Sequence, residues 1–124
     1  MNDAIEYRSL DACDESQVVA LWNRCLPRDE ISIAAFRRKV ILDPNLDPSG
    51  CQVALRDGSV VGFLLALRRR YPYYDLGLEP GRGWITVFFV DPEYQRRGIG
   101  TTMLQRGETF LASHQVHDVT VCDY

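Results

Sequence analysis

No apolar run in this chain approaches the ~18 residues that a membrane-spanning helix needs. The longest, Val60 to Leu67, has eight residues with Gly62 inside it. The start, Met1-Asn2-Asp3-Ala4-Ile5-Glu6, has neither a basic opening nor an apolar stretch, so it does not read as a signal peptide. The cytoplasm is the expected location, with no membrane partner. Cysteines stand only at 13, 25, 51 and 122, and no two have the short spacing of a zinc site or a redox motif. Reduced, mostly buried thiols are expected. Histidine is scarcer still. His114 and His117 flank an expected helix end, where the dipole favours them, and no cysteine or carboxylate cluster accompanies them. No metal site is predicted. A basic excess is also missing: 14 basic residues face 17 acidic ones, for a net charge of −3. Neither half of the chain is basic, which argues against a nucleic-acid partner. Lysine is nearly absent, since Lys39 is the only one and the other basic residues are arginine. A compositional bias is enough to explain that.

What is present describes a globular domain. The 124 residues and 14.2 kDa fit one domain. A chain of this size buries roughly two-thirds of its unfolded surface, enough for a core without disulfides or metal. The composition, 46% hydrophobic and 25% charged, is not that of a disordered chain.

Ile5 to Leu10 reads as a first strand. Asp14-Glu15-Ser16-Gln17 has the pattern of a capping box, with Asp14 as N-cap and Gln17 reaching back. Val18, Val19, Leu21, Trp22, Cys25 and Leu26 then recur at helical spacing until Pro27. A second helix is predicted from Ser32, with Ile33, Phe36, Val40 and Ile41 on its apolar side and Arg37, Arg38 and Lys39 in solvent. Asp43-Pro44 stops it, and 43–50 reads as a loop. A hairpin follows: Cys51 to Leu55, the Asp57-Gly58 turn, and Val60 to Leu67. The second arm is apolar on both faces and belongs in a covered position. Arg68, Arg69 and Arg70 read as a solvated strand end, or as cations for a phosphate or another acidic group. Tyr71 to Gly83 is rich in Tyr, Pro and Gly and predicts no regular structure; Tyr71, Tyr73 and Tyr74 read as cover for a core edge, or as the lining of an acceptor site. Trp84 to Val90 is a strand and Gly98 to about His114 a helix, with Ile99, Met103, Leu104, Phe110 and Leu111 on one face. Val119 and Val121 begin a last strand. Trp22 and Trp84 belong in the core. The order β-α-α-β-β-β-α-β predicts an α/β fold: a twisted mixed sheet of about five strands flanked by helices, with a parallel pair at its end.

The informative segment is Val90-Asp91-Pro92-Glu93-Tyr94-Gln95-Arg96-Arg97-Gly98-Ile99-Gly100-Thr101. A buried strand feeds a turn with two glycines, and a helix begins inside that turn. The first N–H groups of a helix lack intrahelical partners, and the dipole places about half a positive charge there. Gly98 lets an anion approach the backbone, and Arg96 and Arg97 add charged donors. Such a turn suits a phosphate or pyrophosphate. The P-loop is excluded because Thr101, not Lys, follows Gly100. The dinucleotide fingerprint is excluded because Gly98 lies too far from the strand and Met103 stands at its third glycine position.

Gln95-Arg96-Arg97-Gly98-Ile99-Gly100 resembles motif A of the GNAT N-acetyltransferase superfamily: Gln or Arg, two residues, Gly, one residue, Gly or Ala. The lead-in Val90 to Tyr94 is also similar, and the element order follows that family from its first strand to its fifth. The resemblance implies an N-acetyltransferase that moves an acetyl group from acetyl-CoA to a primary amine of a small molecule or peptide by direct attack. It implies that the pyrophosphate rests on the turn, with Gln95, Arg96, Arg97, Gly98, Ile99, Gly100 and Thr101. It implies that the pantetheine arm pairs with Phe88, Phe89 and Val90 on a bulged fourth strand that splays from the fifth. An arm carrying amides can add to a sheet edge in this way, and a backbone N–H there can stabilise the oxyanion.

Two departures qualify the resemblance. The family continues with another helix and two strands, whereas this sequence stops at Tyr124. The expectation is one domain over 1–124 that is C-terminally incomplete, one half of a tandem protein, or a short form. A homodimer would be one way to cover the open sheet edge. Second, Trp84 to Val90 holds no carboxylate. Glu79, Asp75 and Asp91 are near in sequence, but Asp91 before Pro92 reads as a turn residue. No catalytic residue is assigned. The alternative reading is a non-catalytic acyl-CoA-binding, structural or regulatory domain.

Overall fold

The computed structural model of the protein describes residues 4–72 and 74–121. Tyr73, Cys122 and the expected run of the last strand into the C-terminus lie outside them.

Five strands form one sheet in chain order: β1 (Glu6–Ser9), β2 (Cys51–Arg56), β3 (Ser59–Leu67), β4 (Arg82–Val90) and β5 (Asp118–Thr120). The first four are antiparallel to their neighbours, and β4 and β5 are parallel. Helix α1 (Glu15–Cys25) and helix α2 (Ile33–Phe36) lie on one side. Helix α3 (Ile99–Ser113) lies on the other.

Alternation along β3 explains why the sheet is covered twice. Phe63, Leu65 and Leu67 join Trp22, Phe36, Val40 and Phe89 on the α1/α2 side. Leu64 and Ala66 join Met103, Phe110 and Leu111 on the α3 side. A strand with two apolar faces needs both layers. Gly107 sets how closely α3 approaches, because a Cβ there would lie 2.9 Å from Leu64 Cδ2.

Several local expectations give way to tertiary contacts. Asp14 makes no side-chain cap on α1. The capping box forms one turn earlier, between Asp11 and Asp14. Asp14 is buried and paired with Arg8 at 2.6 Å, which a cap could not satisfy as well. Gln17 does not reach back either; its Oε1 accepts from the Val60 N–H at 2.9 Å and ties α1 to the hairpin. The second helix begins at Ser32 as expected, with Ser32 as its cap accepting from the Ala35 N–H, but Ile33 is exposed, and the helix passes into a π-helical turn over Arg37–Ile41. Arg69 is buried rather than solvated: it packs on Trp84 and is paired with Glu79. Cys13 is exposed and Cys25 half-buried, so among the described cysteines only Cys51 is buried. Tyr71 and Tyr74 are exposed and cover no core edge. His114 and His117 do flank the end of α3, where His114 lies 3.8 Å from Asp47.

Candidate active site

Two features of β4 shape the site. Opposite Leu65 and Ala66 the register skips Thr86, so β4 bulges there. A bulge bends a strand and re-aims its side chains. Among the described residues, the parallel ladder with β5 runs from Arg82 only as far as Trp84, paired with Thr120. From Ile85 to Val90 that edge of β4 has no described strand beside it. A cavity of about 1160 Å³ opens here, lined by Ile85, Thr86, Val87 and Phe88 together with Val121.

At the far end of β4 the chain turns through Asp91 into a short 3-10 turn, Pro92–Tyr94. Asp91 is buried. Its Oδ1 accepts from the Glu93 N–H at 3.0 Å, and its Oδ2 from Arg24 at 2.5 Å. Gln95 reaches back, donating from Nε2 to the Val90 carbonyl at 3.2 Å. Arg96 (φ 65°) and Gly98 (φ 84°) both take left-handed conformations. Such backbone costs about 1–3 kcal/mol at a residue with a side chain and clusters at ligand-binding turns. Gly98 is the N-cap of α3 and offers no side chain to its first N–H groups. A Cβ at Gly98 would meet nothing within 4 Å, so the space beside this backbone is open.

The turn and the end of β4 share a second cleft, of about 520 Å³. Phe88, Phe89, Val90, Gln95, Arg96, Gly98, Gly100 and Thr101 line it. The two other residues expected at the site are placed differently. Ile99 is buried in the α3-side core and brings only its backbone. The Arg97 guanidinium lies 5.1 Å from the Tyr94 ring centre, on a tyrosine whose hydroxyl accepts from Arg56. Arg24 and Cys25, at the end of α1, also line the cleft. No local motif marks them, because only the packing of α1 against β4 brings them there.

The acidic residues near β4 are engaged. Glu79 pairs with Arg69 and Arg82, and the hydrogen bond from Arg82, with help from Arg69, holds its carboxyl below the usual range. Asp91 is held by Arg24. The larger cavity has apolar walls, including Trp22, Leu26, Ile31 and Val40, and a rim of both signs that includes Asp29, Glu30, Arg38 and Lys39. Thr86 Oγ1 is buried with no hydrogen-bond partner among the described residues. Phe88, on the bulged half of β4, lines both cavities.

The chain belongs to the acetyltransferase (GNAT) family, whose model matches residues 10–123. It is 41% identical over 49 residues to the probable spermine N(1)-acetyltransferase of Bacillus subtilis subsp. natto and to the spermine/spermidine N(1)-acetyltransferase of Bacillus subtilis. That match takes in 40% of this chain and only 31% of those curated relatives. Among solved structures, it resembles an aminoglycoside N-acetyltransferase in complex with CoA at a TM-score of 0.74 and 14% identity, over 100% of this chain and 80% of that one. It also resembles an aminoglycoside acetyltransferase from an uncultured soil metagenomic sample, in complex with sisomicin, at 0.70 and 22%, over 97% of this chain and 78% of that one. These structural likenesses show the fold. No helix among the described residues is long and apolar enough to cross a membrane.

Proposed function

We propose that this domain is an N-acetyltransferase that uses acetyl-CoA and a primary amine of a small molecule or peptide. One observation carries the reading. The glycine turn at the start of α3 and the bulged half of β4 open on one cleft, and that cleft shares Phe88 with a second, larger cavity. Donor and acceptor need such adjoining spaces for direct attack.

The residues fit the donor. The backbone N–H groups from Arg96 to Thr101 face a pyrophosphate, aided by the α3 dipole and the Arg96 charge. The absence of a Cβ at Gly98 leaves room for phosphate oxygens. Phe88, Phe89 and Val90 offer a strand edge to the amides of the pantetheine arm. The larger cavity takes the acceptor, where Asp29 and Glu30 stand beside Arg28, Arg38 and Lys39 in the lining. The amine nitrogen forms a bond to the acetyl carbon, the carbon–sulfur bond breaks, and CoA leaves as the thiol. The spermine acetyltransferase relatives and the aminoglycoside acetyltransferase neighbours favour a polyamine or aminosugar as the first acceptors to try.

A second reading, an acyl-CoA-binding domain without catalysis, is favoured by the lack of any carboxylate on β4 and by the engagement of Glu79 and Asp91 in ion pairs. CoA release, followed by a thiol reagent with spermine and with an aminoglycoside as acceptors, separates the two. Amine-dependent release supports the enzyme. Tight acetyl-CoA binding with no release above the rate without amine supports the binding domain.

A further inference from the structure

We infer that Arg24 is a phosphate ligand, contributed by α1 from outside the glycine turn. The inference rests on the reading of the smaller cleft as the acyl-CoA site.

Arg24 lies in the last turn of α1 and lines that cleft together with Arg96, far along the chain from it. Its side chain is 61% exposed, yet it is held in place. Nη2 donates to Asp91 Oδ2 at 2.5 Å, and this is its one partner among the described residues. A guanidinium has five N–H donors in a rigid fork, so one bond to Asp91 leaves most of them available to a ligand. The anchor is itself fixed. Asp91 is buried, its other oxygen accepts from the Glu93 N–H, and its own N–H donates to the Val61 carbonyl at 2.8 Å. A free arginine loses side-chain entropy when it meets a ligand, whereas one anchored by a buried carboxylate has lost part of it already. The cleft thus presents two cations, Arg24 and Arg96, and the helix terminus to the same space. The chemistry that matches is a pair of phosphoryl groups, and the pyrophosphate is the group that the turn itself holds.

Titration calorimetry with acetyl-CoA and with acetylated dephospho-CoA tests the assignment on wild type, R24Q, R24K and D91N. Loss of a charge-assisted contact predicts about tenfold weaker binding of both ligands by R24Q, with R24K intermediate. D91N keeps the Arg24 charge and removes a negative one, so it is expected to lose no more than about threefold. Unchanged affinity in R24Q overturns the inference while leaving the site reading intact. Equal losses in R24Q and D91N overturn it too, since Arg24 would then only brace the turn. A loss that vanishes with the dephospho ligand moves the contact to the 3′-phosphate and contradicts the pyrophosphate assignment. Failure of the wild type to bind either ligand overturns the proposed function itself.

Discussion

The Arg69 guanidinium lies 4.4 Å from the centre of the Trp84 ring. Arg69 is buried, and it also donates to the Gly77 carbonyl at 3.0 Å and to Glu79. Arg82 approaches the same ring at 5.2 Å, pairs with Glu79 at 2.7 Å and donates to Thr120 Oγ1 at 3.2 Å. This cluster pins the loop before β4 and ties β4 to β5 at the end away from the glycine turn. β4 is therefore held where it is paired and runs on past Trp84 with no described strand on that edge, beside the larger cavity.

That cluster predicts an acid-sensitive component of stability. The Glu79 carboxyl is held below its ordinary value, chiefly by Arg82. Its contribution is then present above the unfolded-state value and is lost as pH falls through the lower folded-state one. Asp14, lowered chiefly by its bond from Arg8, has the same sign. E79Q is expected to melt below wild type at pH 7, with the gap closing as pH drops below about 4. A gap that is constant from pH 7 to pH 3 contradicts this account of Glu79.

Thiol chemistry follows burial. Desolvation pushes the Cys51 thiol up to about 12, so at pH 8 almost no thiolate is present there. Cys13 is exposed. Alkylation followed by peptide mass mapping should label Cys13 in the native protein and Cys51 only on unfolding. Native labelling of Cys51 at a comparable rate contradicts the packing described.

Thr86 gives a stability prediction of unusual sign. Most threonine-to-valine changes at a hydrogen-bonded site cost stability, but this hydroxyl is buried without a partner among the described residues. T86V is expected to be neutral or to stabilise by up to about 1 kcal/mol in denaturant titration. A loss above about 1 kcal/mol would show that the hydroxyl is bonded after all.

The closeness of α3 to the sheet is also testable. At Gly107 a Cβ would sit 2.9 Å from Leu64 Cδ2, and Leu64 is fully buried. G107V is expected to destabilise the domain by about 1–3 kcal/mol through overpacking. An unchanged urea midpoint contradicts that contact.

The elements that sequence reads well are those with strong periodic patterns: α1, the hairpin, β4 and α3. Alternation and helical spacing report burial directly, and Asp57-Gly58 marks its turn. The glycine turn is legible because Gly98 occupies a backbone conformation that few other residues adopt. What the sequence hides depends on partners distant along the chain. Asp14 has the residue type of a helix cap, but Arg8 claims it. Arg69 resembles a surface charge until Trp84 and Glu79 are seen around it. The π-helical turn after Phe36 has no signal that separates it from an α-helix. Arg24 joins the cleft only because α1 packs beside the end of β4, and Arg97 leaves it for Tyr94.

The most direct test of the central claim is calorimetric titration of the wild type and of Gly98→Asp with acetyl-CoA. At that position a carboxylate would be added in the space beside the turn, where both its bulk and its charge oppose a pyrophosphate. Wild type is expected to bind with micromolar affinity. No detectable binding is expected of the variant, with a cooperative melt retained. Binding of equal strength by the two, or none by a folded wild type, would contradict that reading of the turn.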